Sequence, residues 1–103
     1  MPKVVSIQEL DQIVSFTSVR LPEERGYQQA AQRMLALAET QPGFLGFESA
    51  RNEIEISVSY GQSLEAIKTW KEHPEHRATQ SNAKRWYANF QVRVCRIERE
   101  YGF

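Results

Sequence analysis

Ile54-Glu55-Ile56-Ser57-Val58-Ser59-Tyr60 alternates apolar and polar side chains at every step, and Gly61-Gln62-Ser63 stops it. A period of two puts successive side chains on opposite faces of a strand, so the stretch predicts a β-strand with one apolar and one polar face. Ser63 offers the hydroxyl of a helix N-cap, with Ala66 in the third helical position. Just upstream, Arg51-Asn52-Glu53 is short and polar enough for a hairpin turn. It would pair the strand with Phe44-Leu45-Gly46-Phe47-Glu48-Ser49-Ala50.

Further toward the N-terminus the period changes. Tyr27, Ala30, Ala31, Met34, Leu35, Leu37 and Ala38 recur at three- and four-residue steps, with Gln28, Gln29, Gln32, Arg33 and Glu39 between them. That is an amphipathic helix of good helix formers, ended by Pro42-Gly43. Ile13-Val14-Ser15-Phe16-Thr17-Ser18-Val19 reads as a strand on its β-branched and aromatic content. Leu21-Pro22-Glu23-Glu24-Arg25-Gly26 closes it with a loop, and the first ten residues read as an irregular arm.

Toward the C-terminus, Leu64, Ile67 and Trp70 make a helical face that runs to Lys71. His73 precedes Pro74, which disfavours helical dihedrals at His73. A second helical piece is expected from about Glu75 to Arg85. It offers only Ala78, Ala83 and Trp86 as apolar side chains, the composition of a lid over a cleft edge. Tyr87 through Tyr101 reads as a long final strand. Ala88, Phe90, Val92 and Val94 point one way; Asn89, Gln91, Arg93, Cys95 and Ile97 point the other.

The order is β-α-β-β-α-β, an α+β chain of the ferredoxin-like type with an antiparallel sheet and its helices on one face. Parity with the apolar sets puts Ser57, Ser59, Asn89, Gln91 and Arg93 on the other face. Such a face can meet water or a second sheet across a wet cavity. One hundred and three residues at 12.0 kDa make one domain, residues 1–103. A chain of this size buries only about 60–65% of its unfolded surface, which favours a homodimer.

Composition narrows the function. Apolar residues are 41% and charged residues 25%, which excludes a disordered or fibrous chain. Thirteen cations against thirteen acids argue against a nucleic-acid partner. Residues 1–75 hold seven cations and eleven acids, and residues 76–103 hold six and two. This asymmetry fits a small anion near the C-terminal third or, more simply, a solvated face. No apolar run is long enough to span a membrane. A single cysteine, Cys95, fits a reducing compartment, the cytoplasm.

Gln41-Pro42-Gly43-Phe44-Leu45-Gly46-Phe47-Glu48-Ser49, Ile56-Ser57-Val58-Ser59-Tyr60 and Ala66-Ile67-Lys68-Thr69-Trp70-Lys71-Glu72-His73-Pro74-Glu75-His76 together resemble the antibiotic biosynthesis monooxygenase family. The ending, Trp86-Tyr87 with Arg93-Val94-Cys95-Arg96-Ile97-Glu98-Arg99, looks like the same family. The resemblance runs from about Ile13 to Phe103. It implies two ferredoxin-like protomers joined sheet to sheet as a dimeric α/β barrel. Some members are oxygenases that use no metal, flavin or haem; others bind and degrade haem. The haem-degrading branch carries its iron-ligating histidine ten residues after the motif tryptophan, and Gln80 stands there in this chain.

Oxygenation without a cofactor requires a substrate that itself gives an electron to dioxygen: a small electron-rich phenol, enol or quinol-like compound, ionised in a site that excludes bulk water. His76 is the expected base or hydrogen-bond partner, or else a residue that packs or caps at the helix start, and His73 is expected in solvent. Trp70, Tyr60, Trp86 and Tyr87 would line the pocket, with Gln80 and Arg93 as polar contacts. The structural alternatives are core packing for Trp70, an interface anchor for Trp86 and Tyr87, and an ion pair with Glu48 or Glu55 for Arg93. Cys95 reads as a small buried hydrophobe. Two histidines alone do not make a metal site. Three functions stay open: a cofactor-independent monooxygenase, a haem-degrading one, and a non-catalytic dimer that binds a small ligand.

Overall fold

A computed structural model describes Val5, Ile7, residues 11–22 and residues 25–103. The rest of the N-terminal arm and the loop residues Glu23 and Glu24 lie outside the described residues. The elements are β1 (Gln12–Arg20), α1 (Tyr27–Ala38), β2 (Phe44–Arg51), β3 (Glu55–Gly61), α2 (Leu64–Lys71), α3 (Pro74–Gln80), α4 (Ala83–Trp86) and β4 (Tyr87–Arg96). The sheet order is β2-β3-β1-β4, and every pairing is antiparallel. This is the expected ferredoxin-like α+β arrangement.

Three boundaries move. Ile54 belongs to the β2–β3 turn and is 53% exposed. The lid is two helices rather than one, because the Ser81 hydroxyl bonds back to the Ala78 carbonyl at 2.6 Å and the Asn82 N–H turns to Thr79. The last strand stops at Arg96; the Ile97 N–H then bonds to the Asp11 carbonyl at 2.8 Å, and residues 97–103 carry no regular structure.

Caps and turns follow local chemistry. The Ser63 hydroxyl accepts the Ala66 N–H at 3.0 Å, as the sequence predicts. His73 caps α3: its Nδ1 accepts the Glu75 N–H at 3.2 Å, and Pro74 takes the first helical position, where a missing N–H costs nothing. Gly43, with φ +82°, turns the chain from α1 into β2. A Cβ at Gly43 would come within 2.7 Å of the Ala66 Cβ, so α2 packs directly on this backbone.

The sheet register corrects the predicted faces. Phe16 lies between Ser57 and Val92, and Val14 between Ser59 and Val94. Ser57 and Ser59 continue to Ser49 and Phe47 of β2. Side-by-side residues point the same way, so Ser57 and Ser59 share a face with Phe90, Val92 and Val94, not with Asn89, Gln91 and Arg93. The helices cover this face: Ile67 of α2 packs on Gly61, and Tyr87 stands edge-on to both Phe16 and Tyr27. The opposite face carries Ile13 between Tyr60 and Cys95, Ser15 between Val58 and Arg93, and Thr17 between Ile56 and Gln91. Each face therefore holds apolar side chains, the helix side those of β1, β2 and β4 and the other those of β3, and both need cover.

One protomer does not provide it. Phe90, Val92 and Val94 on the edge strand β4 are 42%, 51% and 48% exposed under the helix layer, and Ile56 on the other face is 51% exposed. Cys95 is exposed rather than buried.

Candidate functional site

The residues singled out in the sequence fall into three places. The first is the elbow between α2 and α3. Trp70 lies in the last turn of α2, and the break at His73–Pro74 turns the chain so that the His76 ring stacks on its indole, centroids 4.4 Å apart and planes 13° from parallel. The His76 Nδ1 is 3.1 Å from the Trp70 carbonyl oxygen. A carbonyl only accepts, so Nδ1 carries the proton and Nε2 is left as the basic nitrogen of the neutral ring. Burial holds the His76 pKa below the ordinary histidine value; the Trp70 carbonyl opposes this, and the nearby charges of His73 and Lys71 add to it. His73 is half-buried rather than fully in solvent: it caps α3 and its ring lies 5.7 Å from that of Trp70. The Arg33 guanidinium grips the Glu75 carboxylate with two bonds of 2.9 Å and ties α1 to α3 beside His76.

The second place is the aromatic corner where β1, α1 and α4 meet. Trp86 is 6% exposed. Its Nε1 donates to the Arg25 carbonyl at 3.2 Å, and its own carbonyl accepts from the Leu21 N–H at 2.8 Å and Arg20 Nε at 2.9 Å. Tyr27 stands edge-on to both Trp86 and Tyr87. The Tyr87 hydroxyl donates to the Tyr27 oxygen at 3.2 Å, and burial raises its pKa. Trp86 and Tyr87 are thus locked to the frame.

The third place is the open sheet face. Tyr60 donates to Glu48 Oε1 at 2.6 Å, and the Val5 N–H donates to Oε2 at 2.8 Å. Burial and the Glu48 carboxylate push the Tyr60 pKa up to about 12, while the Tyr60 and Val5 bonds hold Glu48 below the usual carboxylate range. Arg93 lies on this face and is exposed. It pairs with neither expected carboxylate: Glu48 is bonded to Tyr60 and Val5, and Glu55 pairs with Arg51 at 2.9 Å.

The expectation of one shared pocket is therefore not met within a protomer. Trp70 and His76 come together; Trp86 and Tyr87 belong to the corner; the sheet separates Tyr60 and Arg93 from both. Gln80 is exposed at the end of α3. Haem iron is held by imidazole, thiolate, thioether or phenolate groups, so an amide here does not fit. Among the described residues no three His, Cys, Asp or Glu side chains gather as a metal set, and no helix is long and apolar enough to cross a membrane.

Two concavities stand on the helix-bearing side. One of about 370 Å³ is lined by Pro42, Gly43, Gln62, Ser63, Ala66 and Thr69 among others. Another of about 470 Å³ is lined by Arg20, Leu21, Pro22, Tyr27, Gln28 and Arg51. The second was not foreseen. Arg20 and Arg51 read as ordinary strand-end charges, and only the bare glycine before Tyr27 hints at an uncapped helix start.

No family model matches the sequence. The uncharacterized protein YqjZ of Bacillus subtilis is 42% identical over 93 residues, covering 87% of this chain and 82% of YqjZ. Solved structures share the fold at low identity. SnoaB, a cofactor-independent oxygenase from Streptomyces nogalater, in a point-mutant form, matches with a TM-score of 0.77 at 9% identity, over 88% of this chain and 96% of its own. Rv0793 from Mycobacterium tuberculosis matches at 0.78 and 10%, over 89% and 99%. A candidate antibiotic biosynthesis monooxygenase from Caulobacter crescentus matches at 0.76 and 13%, over 88% and 92%.

Proposed function

Since the chain belongs to the family of Bacillus subtilis YqjZ and carries the fold of antibiotic biosynthesis monooxygenases, we propose that it is a homodimeric, cofactor-independent monooxygenase for a small electron-rich aromatic or quinol-like compound. The observation that carries this reading is His76, a neutral, half-buried imidazole whose Nδ1–H is committed to the Trp70 carbonyl, with the Trp70 indole as a flat shelf beneath it. Nε2 takes the phenolic proton of the substrate, and the stacked indole holds the imidazole in place. The anion passes one electron to dioxygen, and the radical pair joins as a peroxide on the ring carbon para to the phenol. That carbon loses its hydrogen as the O–O bond breaks. One oxygen atom stays as the new carbonyl of the quinone and the other leaves as water.

The homodimer is supported by the uncovered apolar side chains of β4 and β3. A standard interface buries about 800 Å² per partner. The unpaired Cys95 fits a reducing setting, the cytoplasm. One observation favours the non-catalytic alternative: neither concavity is lined by Trp70 or His76.

The test is oxygen uptake under air with a panel of electron-rich phenols, naphthols and anthrones that carry a hydrogen on the carbon para to the hydroxyl. The expected result is uptake matched mole for mole by quinone, lost in a folded His76→Ala variant. Equal turnover in that variant removes His76 from the mechanism, and no uptake with any compound leaves the ligand-binding dimer.

A further inference from the structure

β4 ends the sheet on one side, and its outer edge differs from its inner one. The Ile97 N–H bonds to the Asp11 carbonyl directly opposite it at 2.8 Å, continuing the register that sets Arg96 beside Gln12. Along an antiparallel strand, backbone groups point alternately to one neighbour and to the other. Asn89, Gln91, Arg93 and Cys95 therefore bond inward to β1, and Phe90, Val92 and Val94 turn their N–H and C=O groups outward. The sheet stops at β4, so among the described residues no strand takes up those groups. The same three residues carry the exposed apolar row on the helix-bearing side. One run of chain thus leaves both its backbone groups and its apolar side chains uncovered. Edge strands are commonly blunted by a proline, a bulge or a covering loop. Between residues 89 and 96 there is no proline, and the register with β1 is unbroken.

We infer that this edge pairs with the same edge of a second copy, antiparallel across a two-fold axis at Val92, so that the two sheets run on as one. The inference rests on the homodimer proposed above and says which surface makes it. An axis at Val92 sets Val92 against its own copy and Phe90 against the partner's Val94. These pairs exchange about six hydrogen bonds and cover the apolar row side by side. On the other face Arg93 meets the partner's Gln91, and Asn89 meets the partner's Cys95, so no like charges stand opposed. With the axis at residue 93, Arg93 would lie directly against its own copy, which is unfavourable. With the axis at residue 91, Val94 would meet the partner's Ala88, the residue that the shift in β1–β4 register skips. The axis at Val92 pairs the whole row and keeps the cations apart. A contact through the open sheet face does neither, because the row points to the opposite side. An interface that both copies use identically closes on itself, so assembly stops at two.

Sedimentation, cross-linking and amide exchange on the whole chain test it. Val92→Pro deletes an N–H that the protomer's own sheet does not use. Its circular dichroism is expected to match the wild type while the dissociation constant of the dimer rises at least about tenfold. Asn89→Cys places a thiol opposite the partner's Cys95. Mild oxidation is expected to give a covalent species of twice 12.0 kDa on a non-reducing gel, and the wild type none under the same conditions. The wild-type amides of Phe90, Val92 and Val94 are expected to exchange more slowly as protein concentration rises, and this readout and the cross-link decide the matter if the proline variant does not fold. A dimer that Val92→Pro leaves intact, that Asn89→Cys does not cross-link, or that leaves those amides unprotected overturns the edge contact and places the homodimer on another surface. A wild type that sediments at 12.0 kDa at every concentration overturns both the contact and the homodimer.

Discussion

At the aromatic corner Trp86 is 6% exposed, and both its indole N–H and its carbonyl are bonded to the β1–α1 connection. At the elbow Trp70 is half-buried and stacked on one imidazole whose Nδ1 is bonded to its carbonyl and whose Nε2 is left as the basic nitrogen. The same residue type does different work in the two places. A tryptophan whose polar atoms are all satisfied by backbone fixes a frame. One that offers a flat face beside a titratable ring leaves chemistry available. The corner holds the ends of β1, α1 and β4 in register, and the elbow hangs from that frame through α4 at one end and the Arg33–Glu75 clamp at the other.

Substitutions can break this comparison. Trp86→Ala is expected to cost about 3–5 kcal/mol, the usual range for a buried large aromatic, measured by denaturant titration. If Trp70→Ala costs as much, the elbow is core and the contrast fails. Half-burial sets its expected cost nearer ~2 kcal/mol, with turnover lost while the fold persists. Val92→Asp is expected to leave secondary structure intact and shift sedimentation from a dimer to a 12.0 kDa protomer; a dimer that survives it would show that the β4 row is not the contact.

Smaller effects sharpen the contrast. His76 has a lowered pKa in the fold. As pH falls below the ordinary value of about 6.5, the unfolded chain takes up the proton first and stability declines. The wild type is therefore expected to lose melting temperature between about pH 7 and pH 5 more steeply than His76→Gln, and turnover should fall over the same interval. Parallel slopes in the two proteins would contradict the burial of that ring. Glu75→Gln, at a solvent-exposed pair, is expected to leave the melting temperature nearly unchanged and to lower turnover if the clamp positions His76.

The elements were legible because they are local. The alternation of residues 54–60, the three-four spacing from Tyr27 to Ala38, and the Ser63 and Pro74 signals each lie within a few residues of what they specify. The pairing of faces was not legible. Period two says that side chains alternate but not which set of one strand meets which set of the next. The register between Phe16 and its neighbours Ser57 and Val92 puts the serines under the helices. For the same reason Tyr60 and Arg93 could not be separated from Trp70 by inspection. The Trp70–His76 contact was within reach, since residues six apart across a proline break can meet. The Arg20–Tyr27–Arg51 grouping was not, because it joins the ends of two strands and the start of a helix.

Gly43 lies far along the chain from both aromatic groups, yet it sets how closely α2 can approach the sheet. A single methyl there would collide with Ala66 and lever the N-terminal end of α2 outward. A rigid eight-residue rod displaced at one end tilts at the other, and the far end bears Trp70 and the turn that leads into His76. The distance between a proton acceptor and whatever it serves is in this way governed by a position with no chemistry of its own.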